Sequence, residues 1–522
     1  MIYVDIETDS NGKVLAIGHV DDKDISVTIS KNWKQFLTRF NTSDLTMIAH
    51  NGGGFDWLSL LDYLLRSERL KDWQAICVGS HVICMDVELC NGPKIKLLDS
   101  WCLTQSSLDA AADALAVGRK KHIEKKPEHL PRATMIEYLK NDVMLLRSVY
   151  MQFFAEVNKI APIACYPMTV ASTALKVFEK FSGTRIRKVP DRINKEVMQA
   201  YTGGRVEVFK PGYHKHVNVY DINSMYPYVM RENKFPVDGT YTMTDKYVSG
   251  DIGFYYCDMG ICGISPIIRM GKQVTQGRLM LASCEIDAVR RAGGTVNVDY
   301  GYCFENVDYI FRDYIDTLYA IRIRKQPLSF VAKMMMNHLY GKFGQRSESS
   351  TLVFDPKSVE NLRPLIKGKP FYEKVSERYV AHRHVAISAL VTAYARVYLH
   401  SFIDKHTIYC DTDSIHTNKT MATDNGLGKF KLEFSGEAIY LGKKLYMIRS
   451  GEKIKVTAKG IKTRGNPVYG GWCDLTWEDF RLLSNGRSIK MCEFTSMPTL
   501  LDVLGGKPSC KPQIKKRNIK ML

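Results

Sequence analysis

Two pairs of acidic residues interrupt apolar, strand-like runs near opposite ends of this chain. Asp5 and Glu7 stand in Ile2-Tyr-Val-Asp-Ile-Glu7, and Asp411 and Asp413 stand in Ile408-Tyr-Cys-Asp-Thr-Asp-Ser-Ile415. Carboxylates brought together on sheets repel one another unless cations sit between them, so any fold for this chain has to supply those cations. The chain is also too long for one site to organise it. Its 522 residues exceed what one hydrophobic core fills, and two to four domains are expected.

Composition narrows the class. Apolar residues make up 45% and charged residues 25%, as in an ordinary folded protein, with no collagen, coiled-coil or disorder signature. Seventy-three Lys and Arg against 55 Asp and Glu give a net charge of +18. A surplus of that size attracts polyanions, because neutralising phosphates releases condensed counterions. The 13 cysteines form no C-x-x-C pair and no Cys/His cluster with zinc-finger spacing, so reduced core thiols are expected. No basic and apolar leader opens the chain. No apolar run approaches the roughly 20 residues needed to cross a bilayer. A soluble, cytoplasmic protein with no membrane partner is the expectation.

In the first part of the chain, Asn11-Gly12 between Ile2–Glu7 and Val14–Val20 is a hairpin signal. A third strand is expected over Ile25–Ile29. Trp33, Phe36, Leu37 and Phe40 recur at helical spacing, and another apolar strand ends at His50. This order is that of the start of an RNase H-like domain. Asp5 and Glu7, two apart on a strand, leave the same face. Asp56 follows the glycine loop of Asn51-Gly-Gly-Gly-Phe55-Asp56 and opens a helix. Tyr138 and Asp142, four apart in a helical stretch, share one face. Two divalent ions held by such acids would polarise a phosphate and activate a water, with Tyr138 orienting that water.

A second set of acids lies further on. His216–Tyr220 reads as a strand leading into Asp221-Ile-Asn-Ser-Met-Tyr226-Pro227, and Ile408–Ile415 reads as a hairpin carrying Asp411 and Asp413. Aspartates on neighbouring strands suit two Mg²⁺ ions, with Mn²⁺ able to substitute. Between these segments, Lys333, Asn337 and Tyr340 line one stripe of a helix, fit to neutralise a triphosphate and stack on a base pair. Arg322, Arg324 and Lys325 end a preceding helix-like segment, Asp313–Arg324. The two segments form a short helical hairpin, and Met334–Met336 belong to its core.

In order, D-I-E, N-x-x-x-F-D and Y-x-x-x-D resemble the three motifs of DnaQ-type proofreading exonucleases. D-x-x-S-x-Y-P, K-x-x-x-N-x-x-Y-G and Y-x-D-T-D-S resemble motifs A, B and C of family B DNA polymerases. Tyr201-Thr-Gly203-Gly204-Arg205 is similar to the segment linking the two activities, and Lys444-Leu-Tyr446 to the motif at the primer end. The compact Tyr314–Phe343 resembles the fingers of the protein-primed branch, found in phages of the phi-twenty-nine type, adenoviruses and linear plasmids.

The resemblance implies an α+β multidomain chain. An RNase H-like 3′→5′ exonuclease would occupy residues 1–155, and palm and short fingers residues 156–460. Insertions would fall at about 231–312, for a terminal protein, and at about 346–385, for strand displacement. A small thumb and basic tail would occupy 461–522, with Trp472, Trp477 and Phe480 as a small core. It also implies a replicative polymerase using template, primer and dNTPs, as a monomer or paired with a terminal protein.

By the same resemblance Asp221 and Asp413 would hold metal with Asp411 in support, and Asp5, Glu7, Asp56 and Asp142 would hold metal at the exonuclease site with Tyr138. Tyr226 would exclude a ribose 2′-hydroxyl. Lys333, Arg322 and Arg324 would meet the triphosphate, and Asn337 and Tyr340 would test the nascent pair. Tyr201, Gly203, Gly204, Lys444, Tyr446, Asn51 and Phe55 would contact DNA. The assisting exonuclease lysine would be Lys125 or Lys126. His338 replaces the usual serine of motif B and is open between a primer or template contact and a plain surface role. Three alternatives remain: a family B enzyme using an ordinary nucleic-acid primer, a DNA-binding factor that has lost catalysis, and a stand-alone exonuclease.

Overall fold

The computed structural model describes the whole chain except residues 41–43, 79–80, 91, 184–185, 325–326, 378–379, 459–474, 488, 491–493, 508–512, 516–517 and 520–522. Lys325, Trp472 and most of the basic tail therefore lie outside the described residues.

The hairpin signalled by Asn11-Gly12 joins Ile2–Thr8 to Val14–Asp21 in antiparallel pairing. Ile2–Thr8 also runs parallel to Leu45–Ala49, which runs parallel to Lys94–Asp99. His81–Leu89 and Leu70–Val78 continue the sheet by antiparallel pairing. The expected strand at Ile25–Ile29 forms later, at Thr28–Ser30. Asp21 accepts the backbone N–H groups of Lys23 and Asp24 at 2.6 and 2.5 Å, and this turn leaves Ile25 exposed.

The helix Arg132–Ile160 lies across the first hairpin. Gly18 permits this approach, since a Cβ there would meet Leu139 Cγ and Val143 Cγ2 at 2.9 Å. One missing side chain thus seats the helix that carries Tyr138 and Asp142. The helix continues past residue 155 because neither glycine nor proline interrupts it before Pro162.

The first sheet does not end with its own domain. Leu70–Val78 pairs antiparallel with Glu348–Phe354, which pairs with Phe371–Glu377, making ten strands with Arg363–Pro364 at the far edge. The insertion over 346–385, which reads as mixed α/β in sequence, supplies strands to the first domain among its described residues. Phe371 packs edge-on against the buried Trp73, with ring centroids 6.0 Å apart, so an exposed sheet edge becomes covered apolar surface. The short helix Leu500–Leu504 buries Leu500, Val503 and Leu504 in the same core. This part of the expected thumb therefore packs on the first domain. Helix Trp477–Ser484 instead places Trp477 and Phe480 with Ile439 and Met447 of strands Phe430–Gly442 and Leu445–Ser450.

A second sheet of seven strands has Gly212–Ile222 near its centre, between Ser414–Thr417 and Phe430–Gly442. The nearly all-buried helix Val385–His400 belongs to the same core. A four-stranded sheet, Tyr241–Thr244, Thr295–Phe304, Gly253–Gly260 and Gln276–Ala282, forms the first insertion with helix Ser283–Arg291. Helices Arg312–Arg322 and Leu328–His338 make the hairpin expected between motifs A and C. The first begins one residue before and ends two residues before the expected Asp313–Arg324, the second stops at His338, and Tyr340 begins a separate turn, Tyr340–Phe343. No helix among the described residues is long and apolar enough to cross a membrane.

The first insertion is tied to helix Val385–His400 by buried charge. Glu285 is fully buried and receives Arg269 at 2.8 and 3.0 Å and Arg396 at 2.8 Å. Burial alone would raise its pKa, but the two arginines overcome that and hold it at about 2. Removing one partner of such a set strands the others in a dry interior. Glu285→Ala is expected to lower stability by about 3–5 kcal/mol, read from urea unfolding. A loss below about 1 kcal/mol, the level of an exposed pair, would show that water reaches the arginines.

Candidate active sites

The first acid cluster forms where the edge of a strand, a glycine loop and a helix meet. Asp5 and Glu7 project from one face of Ile2–Thr8, and their carboxylate oxygens and those of Asp142 lie within 4.8 Å of one another. Asp56 is the first residue of helix Asp56–Arg66, where the helix dipole favours an anion. Its loop is fixed by Asp99, which accepts the N–H groups of Asn51 at 2.8 Å and Gly53 at 3.1 Å. Asn51 takes a left-handed conformation at φ 62°. Asn51 and Phe55 stay on the rim, while Asp56 is buried.

Electrostatics mark this cluster as unfinished without a cation. Burial, then Asp142, pushes Asp5 up to about 7, and burial, then Asp5 and Asp142, pushes Glu7 up to about 8. Burial, then Asp5, raises Asp56 well above the carboxylate range, and burial raises Asp142. The buried Oδ1 of Asp56 has no hydrogen-bond partner. Hard oxygen donors left unpartnered and mutually repelling fit divalent, oxygen-seeking ions.

One cation on the cluster comes from the chain itself. Lys120 Nζ lies 2.6 Å from Asp142 Oδ2 and 5.3 Å from the centroid of the Tyr138 ring. Burial opposes its charge, but Asp142, Asp5 and Tyr138 outweigh it and hold Lys120 above the usual lysine range. The lysine on this site is therefore Lys120. Lys125 and Lys126 stand in the turn before the short helix Pro127–His129. The stretch around Lys120 has no periodicity in sequence, and only the fold brings it to Asp142.

The second cluster sits on the central strands of the seven-stranded sheet. Asp221 lies opposite Ser414, and Ser414 opposite Asp411. Thr412, at φ 60°, turns the chain so that Asp413 follows directly, and the Asp413 carbonyl accepts Ile222 N–H at 2.8 Å. Burial, then Asp221, pushes Asp413 up to about 7; burial, then Glu433, raises Asp221.

Asp411 differs. Lys444 Nζ contacts both its oxygens at 2.6 and 2.7 Å, the Tyr409 hydroxyl donates at 3.0 Å, and the Thr412 hydroxyl donates at 3.0 Å. It is a braced acid beside two raised ones.

Several neighbours were not evident beforehand. Glu433 and Lys431 lie on Phe430–Gly442, with Lys431 paired opposite Asp221 and its Nζ 4.0 Å from Asp221 Oδ2. Their alternation on one strand was the available signal. Tyr446 is buried among Tyr409, His416 and Tyr440, with centroids 5.0–5.4 Å away. Its ring forms part of the aromatic floor under Asp411.

Around the cluster, the loop of Tyr201–Arg205 rests on the acid turn. Thr412 N–H donates to the Arg205 carbonyl at 2.7 Å, and a Cβ on Gly204 would meet Thr412 Cγ2 at 2.8 Å. Arg396 donates to the carbonyls of Thr202 and Gly203. Tyr226 and Tyr340 stack with centroids 4.9 Å apart and planes 16° apart. Burial lowers the pKa of Lys333, followed by Arg322 and Lys431, so three cations crowd the approach to Asp221. Asn337 is exposed on the same helix. Arg324 lies exposed beyond the end of its helix.

His338 bridges two elements. Its Nδ1 meets the Met334 carbonyl at 2.9 Å and its Nε2 the Gln105 side chain at 3.0 Å, joining helix Leu328–His338 to the first domain.

Comparison with known proteins agrees with this arrangement. The profile of the family described as DNA polymerase type B, organellar and viral, matches residues 120–425. The DNA-directed DNA polymerase of Enterobacteria phage PRD1 is 26% identical over 448 residues, covering 79% of this chain and 75% of that protein. A probable DNA polymerase of Ascobolus immersus is 28% identical over 308 residues, covering 51% of this chain; the match spans only 25% of that longer protein. Among solved structures, phi29 DNA polymerase complexed with primer-template DNA and incoming nucleotide aligns over 100% of both chains with a TM-score of 0.77 at 19% identity. That likeness fixes the fold.

Proposed function

Because this chain belongs to the organellar and viral type B DNA polymerases, we propose that it is a replicative DNA-directed DNA polymerase with a separate 3′→5′ proofreading exonuclease. The observation that carries this reading is the pair of distinct carboxylate clusters, each with raised pKa values and each faced by lysine. A pair of divalent ions, magnesium with manganese able to replace it, would be held by Asp221 and Asp413 at one site and by Asp5, Glu7, Asp56 and Asp142 at the other, supplying an acidified nucleophile and charge neutralisation at phosphorus.

The chain's own residues do the positioning. Arg322 and Lys333 meet the triphosphate of an incoming nucleotide. The stacked Tyr226 and Tyr340 form a rigid wall that leaves no room for a 2′-hydroxyl, and Asn337 faces the nascent pair from the same side. Lys444 holds Asp411, and through the adjoining turn it fixes Asp413 relative to Asp221. The Tyr201–Arg205 loop offers backbone to the template, close against the acid turn. At the other site, Tyr138 and Lys120 orient the attacking water, while Asn51 and Phe55 hold the single-stranded end at the rim.

The reading extends to initiation on the hydroxyl of a terminal protein, with displacement of the downstream strand by a monomer or a one-to-one complex. Both insertions support it. The first is wired through Glu285 and Arg396 to the Tyr201–Arg205 loop, and the second adds its strands to the exonuclease sheet. A labelled primer on a template with a downstream blocking strand tests the proposal. Extension through the block with dNTPs, and shortening of the primer without them, are the expected results. Failure to extend by a folded, magnesium-loaded sample would overturn the polymerase reading. Extension that stops at the block would favour an enzyme that begins from ordinary primers.

A further inference from the structure

Besides the acid cluster, one other group among the described residues brings three metal-ligating side chains together: His81, Asp99 and Cys102. They play no part in the chemistry proposed above. His81 opens the strand His81–Leu89, Asp99 closes Lys94–Asp99, and Cys102 lies in the helical turn Trp101–Thr104. His81 Nε2 is 3.3 Å from Asp99 Oδ2 and 3.7 Å from Cys102 Sγ. The three ligand atoms all lie within 4.8 Å of one another.

A ring nitrogen carries at most one proton, so it cannot donate to the carboxylate and accept from the thiol at once. One cation in the space they share satisfies all three. Tetrahedral zinc with bonds of about 2.1 Å to N and O and about 2.3 Å to S has N–O edges of about 3.4 Å and N–S edges of about 3.6 Å. The observed spacings match those edges. The donor set also discriminates, since a thiol and an imidazole suit borderline-soft zinc and would not hold magnesium.

We propose that His81, Asp99 and Cys102 bind one Zn²⁺, with the fourth position open to water on the partly exposed side of His81. The supporting contacts are already in place. Asp99 Oδ1 accepts N–H groups from Asn51 and Trp101 at 2.8 and 2.9 Å, Asp99 Oδ2 accepts Gly53 N–H at 3.1 Å, and the Trp101 ring lies 4.8 Å from the imidazole. The ion would fix the carboxylate that shapes the glycine loop leading to Asp56. It is a positioning site for that loop and touches no substrate.

Cobalt is the probe, because a thiolate–Co²⁺ bond gives a near-ultraviolet charge-transfer band that oxygen ligands do not. Titrating chelator-treated full-length protein with Co²⁺ should raise that band to saturation at one equivalent, and one equivalent of Zn²⁺ should remove it. Asp5→Ala with Glu7→Ala should keep the band. Cys102→Ser should abolish it, and His81→Ala should weaken binding by at least about 10-fold, each with an unchanged circular dichroism spectrum. No band in the unmodified protein, or a band that survives Cys102→Ser, would overturn the proposal. The readout is independent of polymerase activity, so it stands or falls apart from that reading.

Discussion

Asp413→Ala is expected to lower primer extension by about 10³- to 10⁴-fold, equivalent to about 4–5.5 kcal/mol of lost transition-state stabilisation, and to leave primer degradation unchanged. The size follows from where the carboxylate sits. Burial raises the pKa of both Asp221 and Asp413, and Lys444 and two hydroxyls brace Asp411 beside them. Truncating Asp413 removes half of the charge available to hold cations there. It leaves the turn intact, because the turn rests on backbone contacts: Thr412 N–H to the Arg205 carbonyl and Ile222 N–H to the Asp413 carbonyl. Single-turnover extension, with degradation in the absence of dNTPs as the internal control, makes the measurement. Parallel loss of both activities at an unchanged melting temperature would mean that the two clusters do not act separately.

What could be read in the sequence was what local geometry imposes. Asp5 and Glu7 share a face because strands have period two, Tyr138 and Asp142 because a helix brings i and i+4 together, and Asp411 and Asp413 because a tight hairpin separates them. These rules need only neighbours. Lys120 and Glu285 obey none of them, since each acquires its role from a partner on a separate element; Glu433 obeys the strand rule with Lys431, but only the sheet brings it to Asp221. Tyr446 shows the converse case. Its motif was legible but the direction of its ring was not, because the ring turns into an aromatic floor built from Tyr409, His416 and Tyr440.

Sheet extension was beyond local reading for a physical reason as well. Nothing local to Glu348–Phe354 says which sheet edge it joins; that depends on Trp73 of Leu70–Val78 and Phe371 of Phe371–Glu377 meeting across it. The same holds for His81, Asp99 and Cys102, whose spacing matches no finger pattern because three separate elements supply them.

Asp5→Ala combined with Glu7→Ala should remove degradation by about 10³-fold or more, spare extension, and raise the stability of the protein when no divalent ion is present. The last effect has a definite sign. Asp5 and Glu7 are pushed up to about 7 and about 8 from ordinary values near 4, so they hold protons more tightly folded than unfolded. Their favourable contribution is complete below the unfolded pKa and is lost as pH rises through 7 and 8. Metal-free wild type should therefore lose melting temperature relative to the double variant as pH climbs from 5 to 8. Magnesium should close that gap at pH 8 by neutralising the cluster, and should do little for the variant. Melting curves at both pH values, with chelator and then with Mg²⁺, test the whole chain of reasoning from buried carboxylates to bound cation. A double variant that is less stable than wild type at pH 8 without metal would show that the cluster is not strained, and that Lys120 alone neutralises it.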